Sequence, residues 1–256
     1  MTNQNCLIFC NCTANVVSSG KKDKLINVFR QLDIDVKELH DLCAFSVHNQ
    51  LKLTQIGKQY ARKLIVACYP RAVQNMLIQG GVDFGKFEVL NFKVFTVSEI
   101  EQKLKAEFSI AEGKANYEVI KSELDTPAWF PVIDQSRCTL CGKCARFCLF
   151  GVYQFDKKKL KVENPLACKN LCPACGRTCP SQAIMFPRLR ERSVLAGDKP
   201  TETQPTRIGE NDSLLVMLNE RNQKRKSIIR EHVVKLAEEE REKALQEIKN
   251  SKQKGN

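Results

Sequence analysis

The 256-residue chain has no apolar run long enough to cross a bilayer, and purely apolar stretches such as Leu64 to Cys68 span only a few residues. No membrane insertion is therefore expected. The first residues, MTNQNCLIFCNCTANVV, lack a basic start and a small-residue cleavage site. That argues against a secretory signal and for a cytoplasmic protein. No G-x-G-x-x-G opens a helix after a strand, because Gly80, Gly81 and Gly85 have the wrong spacing and context, so no flavin is expected. A P-loop, a G-x-S-x-G and an H-E-x-x-H are missing too, which removes the commonest phosphate, serine-nucleophile and zinc-protease chemistries. The chain has one tryptophan, and no aromatic residue follows Phe186, so its end offers no rings for stacking nucleic-acid bases.

Cysteine is absent from residues 69–137 and again from 180–256, yet the chain has 13 of them. Cys6, Cys10, Cys12, Cys43 and Cys68 lie early, and eight more lie between Cys138 and Cys179. Thiols at this density in a cytoplasmic chain point to metal rather than disulfides. With 43% hydrophobic and 27% charged residues the chain is globular, and its length allows one or two domains plus extensions. The net charge of +12 is uneven: residues 131–187 carry 9 basic against 3 acidic residues, while residues 1–130 carry 16 against 14. The excess lies where metal-bound thiolates would add negative charge, so part of it reads as local compensation rather than a nucleic-acid footprint.

Residues 1–125 read as an α/β domain. Short apolar strands near 6–10, 36–39, 63–68 and 87–92 alternate with amphipathic helices near 23–31, 51–61 and 71–79. Such alternation predicts a mostly parallel sheet, with ligands bound beyond the carboxyl ends of its strands. Residues 97–124 read as helical with a break near Gly113. Residues 188–211 read as a proline- and glycine-containing linker and 212–256 as a charged C-terminal helix. A solvated helix is the plainer reading of that tail, and docking of a redox partner the sharper one.

The eight-cysteine block runs Cys138-Thr-Leu-Cys141-Gly-Lys-Cys144-Ala-Arg-Phe-Cys148 and Cys168-Lys-Asn-Leu-Cys172-Pro-Ala-Cys175-Gly-Arg-Thr-Cys179-Pro180. It resembles the bacterial two-cluster ferredoxin pattern, C-x2-C-x2-C-x3-C-P written twice. The resemblance covers residues 131–187 and implies a small α+β fold holding two [4Fe–4S] clusters. By the family's cross-ligation, Cys138, Cys141, Cys144 and Cys179 would hold one, and Cys168, Cys172, Cys175 and Cys148 the other. Two departures stand out: Leu149 follows Cys148 in place of proline, and three residues rather than two separate Cys168 from Cys172. A pair of zinc sites is the bland alternative.

Among the early cysteines, Cys10-Asn-Cys12 follows the first predicted strand, Cys43 the second, and Cys68-Tyr-Pro-Arg71 the third. Together they resemble the N-terminal domain of the A subunit of heterodisulfide reductases, over about residues 5–95. The resemblance implies a third iron–sulfur cluster, with Cys10, Cys12, Cys43 and Cys68 as ligands. A zinc site or redox dithiol stays open at these positions, with His40 as a further ligand candidate, and Cys6 reads as ordinary core.

These readings converge on an electron-transfer protein or subunit that relays single electrons to or from a reductase, hydrogenase or dehydrogenase complex and needs no catalytic side chain. Two alternatives remain: a non-flavin catalytic subunit acting on thiols or disulfides at Cys10 and Cys12, and a redox-sensing regulator that binds nucleic acid through its tail.

Overall fold

The computed structural model describes residues 5–200, together with Glu239, Glu240, Glu242, Lys243 and Gln246, which are helical. The rest of the predicted C-terminal helix lies outside the described residues.

The apolar run Cys6 to Cys10 forms strand β1 (Asn5–Cys10), buried along nearly its whole length. The amphipathic segment after it forms α1 (Ser19–Phe29), whose first turn is closed by the Ser18 hydroxyl accepting from the Lys21 N–H. Strand β2 (Asp35–His40), helices α2 (Leu42–His48) and α3 (Gln50–Gln59), and strand β3 (Arg62–Ala67) follow. Helix α4 (Pro70–Gln79) starts on Pro70, whose fixed φ suits a first helical position. Strand β4 (Phe87–Asn91) precedes α5 (Val97–Ala106), which opens with a Thr96/Glu99 capping box.

The helix predicted over 97–124 ends at Ala106. Residues Asn116–Lys121 form strand β5, parallel to β2 in the register Val36↔Tyr117 and Leu39↔Ile120. The aromatic and β-branched residues Tyr117, Val119 and Ile120 fit a pleated edge better than a helix. Tyr117 also donates its hydroxyl hydrogen to the Glu38 carboxylate on β2.

All five strands run parallel, in the order β4-β3-β1-β2-β5. The chain leaves β1 toward β2 on one side, then returns across β1 to β3 on the other. The carboxyl ends of β1, β2 and β3 therefore frame a topological switch point, where open parallel sheets bind their ligands. Cys6 is fully buried in β1 and belongs to the core.

The second cysteine block folds on two short antiparallel pairs, β6 (Val132–Ile133) with β9 (Ile184–Met185) and β7 (Tyr153–Phe155) with β8 (Leu160–Val162), around the short helices α6 (Lys143–Phe147) and α7 (Ala174–Arg177). It shares a core with the sheet, as Phe130, Val132, Met185 and Ala196 pack into the same apolar cluster as Phe9, Ala72 and Met76. Arg71 of α4 bonds the Asp134 carboxylate at 2.7 Å and the Gln182 carbonyl at 2.7 Å.

Residues 187–198, predicted as the start of a linker, instead pack as a strap along α4. A Cβ on Gly197 would stand 2.5 Å from the Ala72 Cβ, and Gly197 has φ +111°, so glycine is needed at this close approach. Proline and glycine here serve a packed turn, which composition alone does not distinguish from a linker.

Candidate functional site

Four thiols meet at the switch point. Cys10 ends β1, Cys12 lies two residues on, Cys43 opens α2 and Cys68 follows β3; all four line one cavity. Each is 5–7% exposed. Backbone donors approach two of the sulfurs, Leu42 N–H to Cys10 Sγ and Ala14 N–H to Cys12 Sγ, each at 3.5 Å. Such N–H···S bonds orient thiolates and stabilise their charge.

Pro187 and Arg188 of the strap complete this cavity. Arg188 is buried and ion-pairs with Asp41, and its guanidinium also donates to Thr13 Oγ1 at 3.0 Å. Burial opposes the Arg188 charge, yet Asp41, then Cys43 and Cys12, keep its pKa above the ordinary guanidinium value. Lys93 is also buried; its ammonium donates to the Pro187 carbonyl at 3.2 Å and to the Leu189 carbonyl, and lies 5.5 Å from the Tyr69 ring centre. Burial lowers the Lys93 pKa, against the pull of Cys68, Cys12 and Cys43. Two cations are thus held in the interior beside the four thiols, a costly placement unless negative charge balances them.

The later cysteines assemble differently. Cys138, Cys141, Cys144 and Cys179 line a second cavity. Cys148, Cys168, Cys172 and Cys175 line a third, larger one of about 350 Å³, beside Phe147, Leu149 and Phe150. Each set takes three cysteines from one loop and one from the other. The two loops repeat a backbone turn: Leu140 (φ 54°) precedes Cys141 and Leu171 (φ 61°) precedes Cys172. In the first loop Gly142 has φ +68° and a Cβ there would stand 2.2 Å from the Phe155 ring, so that turn requires glycine. The Tyr153 hydroxyl donates to Cys175 Sγ at 3.0 Å. Burial, then the charge of Cys175, raises the Tyr153 pKa and keeps the phenol a donor.

The spacing of these thiols tests the kind of metal they suit. Among the described residues, no three His, Cys, Asp or Glu side chains stand close enough to hold one ion. A zinc ion needs four donors about 2.3 Å from a single centre. Four thiols lining one cavity suit a cluster, whose ligands bind different irons. Burial raises the thiol pKa to about 12 at Cys68, Cys144 and Cys168, and to about 11 at Cys175. Cys43 and Cys138 are raised for the same reason. A hydrogen bond between Cys10 and Cys12 raises the first, with burial adding, and lowers the second. Loading such sites with metal therefore releases protons.

His40 bonds the Glu38 carboxylate at 2.9 Å and is not among the residues lining the four-thiol cavity. Sequence reasoning missed Asp41, Lys93 and Arg188. For Lys93 and Arg188 the only signal was positive charge, which dozens of other residues share. Asp41 follows β2 directly, and its position there was the one usable hint.

A family model described as a 4Fe-4S binding domain matches residues 130–153. An uncharacterized ferredoxin from Methanocaldococcus jannaschii is 31% identical over 116 residues, covering 45% of this chain and 79% of that protein. No solved structure matches. Among the described residues no helix is long and apolar enough to cross a membrane.

Proposed function

Since the chain belongs to the same ferredoxin family as that archaeal protein, we propose that it relays single electrons through two [4Fe–4S] clusters in residues 131–187 and a third at the switch point of the sheet. A bound cluster of this kind accepts and releases one electron at a time without making or breaking a bond to substrate. The protein's part is to hold, insulate and electrostatically bias. Cys138, Cys141, Cys144 and Cys179 would hold one cluster, and Cys148, Cys168, Cys172 and Cys175 another. Cys10, Cys12, Cys43 and Cys68 would hold the third.

The observation that carries the third site is the company kept by its thiols. Four cysteines from three strand ends line one cavity, with Lys93 and Arg188 buried beside them. Asp41 balances Arg188, whereas Lys93 bonds only carbonyls; a four-thiolate cluster would supply the anion that Lys93 lacks. The burial of all four thiols favours a relay over a reductase site that meets thiol or disulfide substrates. The resemblance to the reductase A subunit supports the same ligand set, and the partner on this reading is a reductase, hydrogenase or dehydrogenase complex.

Iron and acid-labile sulfide counting on anaerobically purified protein tests this. About twelve irons per chain are expected for three clusters, and about eight would remove the third. The C10S/C12S variant should lose about four irons and keep the EPR signals of the other two; an unchanged count overturns the switch-point assignment.

A further inference from the structure

The two cysteine loops are near repeats in backbone, but their outer faces differ. Leu140 packs into the small core around Trp129 and Ile133. Leu171, at the matching turn, is 72% exposed. A leucine with φ +61° is strained, and leaving its side chain in water forgoes any return from burial. The other half of the symmetry behaves alike: Pro180 follows Cys179, whereas Leu149 follows Cys148 and is 91% exposed. Both departures from the ferredoxin pattern, the extra residue before Cys172 and the missing proline after Cys148, thus leave an exposed leucine next to the Cys148/168/172/175 site.

They are not isolated. Of the nine large exposed hydrophobic side chains among the described residues, five are Phe147, Leu149, Phe150, Leu166 and Leu171. Phe147, Leu149 and Phe150 line the opening of the same cavity as the four thiols. Clustered exposed apolar groups of this kind mark contact surfaces. The chemistry around them has one sign. Arg146 lines the cavity and Lys169 is exposed between Cys168 and Cys172, while neither segment 143–152 nor segment 165–179 contains an acidic residue.

We propose that this apolar, positively bordered face is where a redox partner docks, and that the partner presents an apolar centre in an acidic rim. The inference rests on the electron-relay reading above and deepens it, making the Cys148/168/172/175 site the exchange port. Charge selects this occupant over two others. A second copy presents the same basic border, and residues 205–256 contain 12 basic against 9 acidic residues, so both would meet the face with like charge. An acidic rim gains steering toward the face, and the leucines and phenylalanines exclude water at its centre.

The test uses the full, cluster-loaded chain and flavodoxin, an acidic flavoprotein, as the probe. Electron exchange is followed by stopped flow in the downhill direction. The L149S/L171S variant is expected to lower the second-order rate constant at least tenfold, with iron content and EPR spectra unchanged. K169E is expected to lower it more than K58E, which makes the same charge change on α3. With basic cytochrome c as the probe, raising salt should speed the exchange, and with flavodoxin slow it. Equal rates for wild type and L149S/L171S overturn the docking face. So does a dimer that dissociates in that variant, or a faster exchange once residues 205–256 are removed, since either shows another occupant. Loss of all dithionite-reducible EPR signals in the wild-type chain would instead defeat the relay reading itself.

Discussion

The switch-point thiols and the later eight differ in how they are brought together. Cys10 and Cys68 are 58 positions apart, and the four thiols converge only because β1, β2 and β3 end side by side. The later cysteines come from two loops that each supply three ligands within a few residues. The first site is sealed in the interior behind a strap and two cations. The second block leaves Cys141 exposed and three thiols of the third cavity half-buried, beside exposed leucines. A site assembled from strand ends can be buried deeply because a whole sheet surrounds it. A site assembled from loops lies near the surface, where partners reach it.

The largest expected effect comes from parting the two regions. Arg71 joins them through Asp134, with both side chains about nine-tenths buried. Replacing Arg71 with methionine leaves that carboxylate buried without its partner, and the stability should drop by about 3–5 kcal/mol. Anaerobic urea unfolding followed by the fluorescence of Trp129 measures this. The pH dependence has a definite sign. Burial pushes the Asp134 pKa up, but bonds from Ser136 and Arg71 outweigh it and leave the folded value low. The pair's contribution is therefore complete above the unfolded carboxylate pKa of about 4 and disappears as pH falls through the lower folded value. D134N should flatten that acid limb; an unchanged limb would show that the ion pair does not couple the regions.

A medium effect should separate the two kinds of site electrostatically. Lys93→Met removes a buried positive charge beside Cys68 and Cys12, and the bonds it loses go to the Pro187 and Leu189 carbonyls rather than to any cysteine of the second block. On the three-cluster reading, the switch-point potential should fall by roughly 50–150 mV, the scale of ~1–3 kcal/mol for one electron in a partly screened interior. The other potentials should hold. EPR-monitored titration distinguishes this from a packing role, which would alter metal content rather than potential.

The smallest effect belongs to the second block. Tyr153→Phe removes the hydroxyl that donates to Cys175 at 3.0 Å. One potential should fall by roughly 20–60 mV, the share of a single hydrogen bond to sulfur. Equal shifts at every centre would mean that the sites are not electrostatically separate.

Much of this was legible beforehand. Four strands and their helices announced themselves through apolar runs and amphipathic stretches, because local burial leaves a local pattern. β5 was not. An edge strand with only Ile120 deeply buried carries too little apolar signal to stand apart from the helix before it. The strap was missed for the opposite reason: proline and glycine mark a turn whether it is packed or free.

The sequence by itself determined the eight-cysteine motif, its two irregular steps and the placing of three further cysteine positions after strands. These depend on neighbours a few residues apart, where chain geometry is short-range. Only the tertiary structure decided that Cys10, Cys12, Cys43 and Cys68 share a cavity, that Arg188 closes it from more than a hundred residues away, and that Lys93 stands beside it. Those contacts follow from strand order in the sheet and from the strap's packing on α4, and neither leaves a trace in local spacing. The exposure of Leu149 and Leu171 belongs with them, since a leucine's identity says that it can be buried, and only the fold says that here it is not.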